Sequence, residues 1–450
     1  MRVQKIVLNR VEGDVNLKLC WDQNGRISDA YVVSYNYRGF EHILQGRDLL
    51  DALVINPRIC GICGHAHLMA TVNAIENLYK NNSIDVEITE KAKLIRQITL
   101  CSEIVQNHLK WFYLFVMPDF LKLFPSLENE KFKPFVGEKW KKAVKYSSEI
   151  VKIIAIFGGQ WPHTSYAIPG GVTSEPLKTD IVDALSIVDR LIKYTEEEIF
   201  GMSYEDYLNV KNLEEFLSKS KGGDLTTFID FCIKSGLDKE GQSYEHFITV
   251  STVYPCINEG VIKKKKCKLN LKKIKEVKDF NIMYNKETGY TYANGVRYDG
   301  LPMQTGPLAR RLTSKIELFF NLYRTYKDSY LVRIWARVDE ILRILINMKD
   351  WLLKINVNEK SYIKPNDYKK LYGEAFGYVE ASRGSLIHKV KVEKGVIKSY
   401  SIITPTMWNL GSRCNKFKSP AEKAIVGLKD SLKAQMVLRS FDVCSVCLTH

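Results

Sequence analysis

Four cysteines in two Cys-x-x-Cys pairs, Cys60/Cys63 and Cys444/Cys447, form the densest arrangement of soft ligands in the chain. Two intervening residues let both sulfurs of a pair face one ion, because the short backbone between them can turn tightly. Thiolates select zinc, copper, nickel or iron–sulfur chemistry over magnesium or calcium. A histidine follows each pair: His67 after Cys63 and His450 after Cys447. His67 falls one helical turn past Cys63, where an imidazole can donate to a bound sulfur and tune the metal. Covalent haem attachment wants histidine directly after the second cysteine, and Gly64 stands there instead. A thioredoxin-like redox pair would leave the second pair idle. Four thiolates complete a tetrahedral structural zinc site as readily as they build a catalytic centre, and spacing alone leaves both open. The context favours catalysis, because these pairs tie the two ends of a chain large enough to need no staple.

The remaining sequence bounds what carries these pairs. Ten cysteines in 450 residues are too sparse for a disulfide-stapled secreted domain. Cys20, Cys101, Cys232, Cys256, Cys267 and Cys414 stand singly and read as small core or surface residues. With 45% hydrophobic and 26% charged residues the chain excludes disordered and fibrous classes and has ample apolar material for a core. The formal charge is +15 (66 Lys+Arg against 51 Asp+Glu). Its densest basic run, Lys263–Lys266 with Lys268, Lys272, Lys273, Lys275 and Lys278, has no interleaved aromatic residue, and reads as solvated surface rather than a nucleic-acid site. No apolar stretch approaches the roughly 20 residues of a membrane span. The start, MRVQKIVLNRVEGD, places charges where an export signal needs its apolar segment, so a cytoplasmic location is expected.

The pattern predicts an α+β chain, mostly helical, with a long-helix bundle at its core and peripheral β-hairpins. Residues 1–50 alternate as strands around an Asn24-Gly25 turn. Leu94, Ile98, Cys101, Val105, Leu109, Phe112 and Val116 make one helical stripe. Further helices are expected near residues 137–157, 179–200 and 311–354, the last broken or bent. Residues 203–300 look mixed and insertion-like, and residues 375–410 read as hairpin strands. Ser419-Pro420-Ala421-Glu422 opens a final helix expected to reach about Arg439. With no linker or repeat, residues 1–450 are expected to form one domain.

The two cysteine segments, RICGICGHAH and SFDVCSVCLTH, resemble the signatures of the [NiFe]-hydrogenase large subunit. RVEGD near the start, YRGFE at 37–41, NHLKWFY at 107–113, GGQWPHTSYAIPGGV at 158–172, TGPLAR at 305–310, SRG at 382–384 and TPTMWNLGSR at 404–413 resemble the family's intervening segments in order. The resemblance implies heterolytic H2 cleavage at a nickel–iron pair whose iron carries CO and cyanide. By similarity Cys60 and Cys444 would bind nickel alone, while Cys63 and Cys447 would bridge nickel to iron. Glu12 matches a proton-relaying glutamate, and Arg383 the arginine that serves the metals as base or clamp. Asp442 matches that arginine's partner, Thr406 a hydroxyl that donates to cyanide, and Ile62 a position lining the gas path. Glu41, His450 and the carbonyl of Ile402 would hold a second, hard cation, usually Mg2+.

The same resemblance implies an obligate iron–sulfur small subunit, since no other cysteine cluster here could hold an electron relay. Maturation proteins, a higher oligomer of heterodimers, and membrane attachment only through other subunits are also implied. Family precursors often extend past the histidine corresponding to His450, so the chain matches a matured form or a gene without a tail. Four positions depart from the family pattern: Val443 and Ser382 stand where proline is usual, Asp14 where histidine is common, and Asn107 where some members have aspartate. Uptake turnover is the direction expected. A low-turnover hydrogen sensor with the same site is the alternative, and a structural zinc protein or a metal-free scaffold like the quinone-site subunit of respiratory complex I are more distant ones.

Overall fold

The computed structural model describes residues 2–251 and 257–450; Cys256 lies outside the described residues. Its centre is the helix Tyr330–Lys354, packed against the helices Glu90–Lys110 and Lys178–Tyr194. The Leu94-to-Val116 stripe is buried along its whole length, each residue being at most 8% exposed. The helix that carries it widens into a π turn over Trp111–Val116 before continuing as Met117–Leu123. Pro118 has no N–H to give the preceding turn, and a wider turn relieves that break. The region 137–157 divides at Val151 into Glu138–Ile150 and Lys152–Gly158. The expected break in 311–354 is observed twice, giving Pro307–Thr313, Glu317–Tyr326 and Tyr330–Lys354, with Lys315 and Lys327 at positive φ between them.

Two expectations are corrected, and the mixed stretch 203–300 takes definite form. The last helix does not run unbroken to Arg439; it stops at Ile425, turns through Gly427 at φ 96° and restarts as Ser431–Arg439, capped by the Asp430 carboxylate. Residues 375–410 are not all strand. The strands Tyr372–Ala381, Gly384–Glu393 and Val396–Ile403 form an antiparallel sheet, and Thr404 then caps a short helix, Pro405–Leu410. The stretch 203–300 opens with three helices, Tyr204–Leu208, Leu213–Lys219 and Asp224–Ser235, before its short strands.

The β-rich start is a three-stranded antiparallel sheet, Arg2–Val7, Asn16–Trp21 and Ile27–Val33. The helix Gly64–Asn81, which follows the first cysteine pair, lies across the strand Tyr372–Ala381. Asn73, Asn77, Asn81 and Asn82 project their amides at that strand's edge and donate to the carbonyls of Tyr378, Phe376, Glu374 and Tyr372. Asn73, Asn77 and Asn81 at a period of four, with the adjacent Asn82, thus satisfy an edge that would otherwise leave carbonyls unpaired. Contact is so close that a side chain at Gly377 would meet Ala70 O at 2.0 Å. This seam joins the first cysteine pair to the sheet that carries Arg383.

Candidate metal centre

The first pair sits where a 3-10 turn, Asn56–Ile59, feeds the helix Gly64–Asn81; Cys60 is extended and Cys63 occupies the helix N-cap. The second pair lies on the terminal turn, with Cys444 at the N-cap of Ser445–Leu448 and Cys447 within it. The four sulfurs meet at the protein centre. Sγ of Cys60 is 3.7 Å from Cys444 Sγ, and Sγ of Cys63 is 3.3 Å from Cys447 Sγ. None of the four residues is more than 6% exposed. The Cys60, Cys63 and Cys447 sulfurs all fall within 4.8 Å of one another, close enough to share a metal.

Several backbone contacts clamp the two chain ends together. Ser445 N–H donates to Glu12 O at 2.7 Å, and Thr404 Oγ1 donates to Cys447 O at 2.7 Å. Arg38 Nη2 donates both to Ile59 O (2.6 Å) and to Val446 O (2.5 Å), one guanidinium spanning both cysteine loops. Ile62 packs among the cysteines at 5% exposure.

The thiols of this cluster act on one another through hydrogen bonds. Hydrogen bonds from Cys444 and the other thiols hold the Cys60 thiol well below its ordinary range, whereas Cys63 and Cys447, facing Cys444 and burial, are pushed well above. Neighbouring sulfurs thus oppose one another's charge, which a bound metal cation would offset. Burial works against the charge on Arg383, but Asp442 and the cysteine sulfurs hold its guanidinium well above the usual value. That favours a permanently charged clamp over a proton-accepting base.

Arg383 is positioned from its Nε side. Nε lies 3.0 Å from both the Asp442 carbonyl and Asp442 Oδ1. Asp442 Oδ2 accepts from Arg337 Nη1 at 3.0 Å and from Asn107 Nδ2 at 3.4 Å, so the amide at 107 serves as a donor. Asp442 sits at φ 57°. A proline at 443 would crowd that left-handed backbone, and Val443 does not. Ser382 offers its carbonyl to Arg337 at 3.2 Å. The other face of Arg383 is open: among the described residues, buried Nη1 and Nη2 meet no protein acceptor, and buried Thr406 Oγ1 meets no partner. Buried donors without acceptors are costly, so these atoms fit a non-protein acceptor at the cluster.

Glu12 is half-buried, and burial together with the nearby Cys60 raises its carboxyl above the ordinary range. His67 is buried on the far side, its Nε2 3.9 Å from Cys447 Sγ. Glu41 and His450 line a separate cavity of 210 Å³ with Glu276 and Lys278. His450 Nε2 lies 3.7 Å from Glu41 Oε1, which accepts the Ile402 N–H at 2.7 Å. Burial opposes ionisation of Glu41, yet hydrogen bonding from His450 and Ile402 holds its carboxyl low.

A family model described as "Nickel-dependent hydrogenase" matches residues 38–134 and 135–450. The chain belongs to the nickel-dependent hydrogenases. It is 24% identical over 503 residues to the periplasmic [NiFeSe] hydrogenase large subunit of Desulfomicrobium baculatum, covering 98% of this chain and 93% of that one. It is 24% identical to the quinone-reactive Ni/Fe-hydrogenase large chain of Wolinella succinogenes (98% and 94% covered) and 22% to the hydrogenase-2 large chain of Escherichia coli (98% and 96%). The solved Ni-Fe-Se hydrogenase of D. vulgaris Hildenborough in the reduced state superposes with a TM-score of 0.86 at 24% identity, covering 100% of both chains. The chain is therefore a hydrogenase large subunit, an oxidoreductase acting on H2, of a kind that pairs with a small subunit. Among the described residues no helix is long and apolar enough to cross a membrane.

The structure of this hydrogenase chain places further side chains that motif spacing does not mark. Arg38, Arg337, His388 and Glu276 come from separate elements and meet the site only through folding. Glu103 is another. It is fully buried, and its carboxylate accepts the His65 and Ala66 N–H groups at 2.9 and 3.0 Å, capping the helix that follows Cys63. Burial raises its carboxyl to about 8 despite those two donors. A carboxyl with a native pKa above its unfolded value of about 4.3 keeps a proton that the unfolded chain releases, so stability falls as pH rises between about 4.3 and about 8. Glu103→Gln, which stays neutral, is expected to gain thermal stability relative to the unmodified protein as pH rises through that window. A constant difference in Tm across it would contradict this.

Proposed function

We propose that this subunit cleaves H2 heterolytically at a Ni–Fe centre held by Cys60, Cys63, Cys444 and Cys447, in the uptake direction. The observation that carries the proposal is the buried four-sulfur cluster beside an arginine whose two terminal nitrogens meet no acceptor among the described residues. Bound there, a nickel–iron pair with CO and cyanide on iron supplies the Lewis acidity that polarises H2.

The chain's own residues do the rest. Cys60, Cys63, Cys444 and Cys447 would supply the thiolates that hold the two metals, Cys60 and Cys444 on the nickel side and Cys63 and Cys447 between the two. Arg383 and Thr406 would donate to the cyanides, with Asp442 keeping Arg383 aimed. Glu12, with its raised carboxyl beside Cys60, accepts the proton and passes it outward. Ile62 keeps the approach to the sulfurs apolar. Glu41 and His450, with the Ile402 carbonyl beside them, would hold Mg2+ at the neighbouring cavity that Glu41, His450 and Glu276 line. Electrons leave to an iron–sulfur small subunit, and the complex assembles with maturation proteins in the cytoplasm. Fractionation decides the compartment, since one relative is named periplasmic.

H2-dependent dye reduction by the purified complex tests this directly. Glu12→Gln is expected to lower it by about 10²–10⁴ while the metals remain bound, the loss expected on removing one proton-transfer group. A fully metallated complex that reduces no dye would favour the sensor role over turnover.

A further inference from the structure

A line of buried side chains runs away from Cys447. His67 Nε2 faces Cys447 Sγ at 3.9 Å, and His67 Nδ1 lies 3.0 Å from His388 Nε2. His388 Nδ1 lies 2.9 Å from the Tyr400 hydroxyl, which accepts from Asn56 Nδ2 at 2.9 Å. Thr71 Oγ1 is 3.2 Å from the same His388 nitrogen, but its proton goes to the His67 carbonyl at 2.8 Å. The rings are 1% and 0% exposed, and among the described residues neither has a carboxylate as hydrogen-bond partner. Burial without an acidic partner keeps both imidazoles neutral, with one N–H each.

Neutrality makes the chain directional. Only one ring can donate across the 3.0 Å contact between them. With a thiol at Cys447 the bonds can run from the sulfur towards Tyr400, but a metal-bound sulfur has no proton and only accepts. For His67 to donate to it, the proton has to sit on Nε2, which needs Nδ1 bare and met by a donor, His388 Nε2–H. His388 Nδ1 is bare in turn, and the Tyr400 hydroxyl is the group placed to donate to it. We propose that His388, steered by Tyr400, is a positioning residue that fixes the tautomer of His67 and so delivers an N–H to the Cys447 sulfur. The inference rests on the Ni–Fe proposal above, because it needs Cys447 held as a thiolate bridging to iron.

An N–H donated to a bridging sulfur withdraws electron density from the metal it binds. Losing that donor should enrich the iron and move its CO stretch to lower wavenumber. In the infrared spectrum of the purified complex, His388→Ala is expected to lower the CO band. Tyr400→Phe should act in the same direction, because Thr71 Oγ1 is then the remaining partner at His388 Nδ1 and favours the opposite tautomer. His388→Gln, whose amide can still donate to His67 Nδ1, should restore the band towards its unmodified position. If His388→Ala does not assemble, Tyr400→Phe carries the test with a smaller change. An unmoved band in the assembled variants, or a glutamine variant shifted as far as alanine, overturns the inference while the Ni–Fe proposal stands. Absence of a CO band from the unmodified complex would overturn both.

Discussion

Replacing Arg383 with methionine is expected to reduce H2-dependent dye reduction by about 10²–10³, the range for removing one preorganised donor from an active site, while the complex remains folded and metallated. The reason it should fold lies in Asp442. Stripping the sole partner from a buried carboxylate costs about 3–5 kcal/mol. Here Asp442 Oδ2 retains Arg337 at 3.0 Å and Asn107 at 3.4 Å when Arg383 is lost. What the variant loses is the pair of terminal nitrogens that meet no acceptor among the described residues. Arg383→Lys should fall between, because an ammonium keeps the charge but not the planar fork that reaches two acceptors at once. Metal analysis and thermal melting accompany the assay. A methionine variant with full turnover would show that Arg383 serves only the packing of this loop.

Cys63→Ser is expected to abolish turnover, by more than about 10⁴-fold, in a complex that still folds. A structural zinc site supplies about 10–16 kcal/mol of folding free energy, so a true staple would unfold on losing a ligand. This site need not behave that way. The apolar core extends through the long helices independently of the small cysteine cluster. The loop that carries Cys63 is also held by the Glu103 cap, the Arg38 clamp and the asparagine seam. Circular dichroism and the melting temperature of the variant complex separate the two cases. Loss of cooperative melting would favour the zinc alternative.

The parts of the site legible in the sequence are those whose chemistry is local. Two residues between cysteines, or a histidine one turn past them, carry their geometry with them. The helical stripe from Leu94 to Val116 is equally legible, because a buried face repeats every turn. The groups that hold the ligands in place carry no such signal. Arg337 looks like one more charge on an amphipathic helix until the fold sets it against Asp442 and Ser382. His388 sits on a strand whose alternation marks it only as inward-facing, and Glu276 lies in a lysine-rich stretch that reads as surface. The break at Gly427 is hidden for another reason: the capping box at Ser419 marks a start, and apolar spacing continues across a turn that a single glycine permits. Cys60 and Cys444 are paired by a fold that connects the chain's two ends, and no local pattern states that contact.

The most direct measurement is an infrared spectrum of the purified complex, with nickel and iron quantified on the same sample. Proteins are nearly silent where metal-bound CO and cyanide stretch. A Ni–Fe centre on Cys60, Cys63, Cys444 and Cys447 predicts one CO band and a pair of cyanide bands at about one nickel and one iron per site. A spectrum without those bands, from a complex with its partner bound and nickel present in stoichiometric amount, would contradict that assignment and leave the four cysteines holding a different centre.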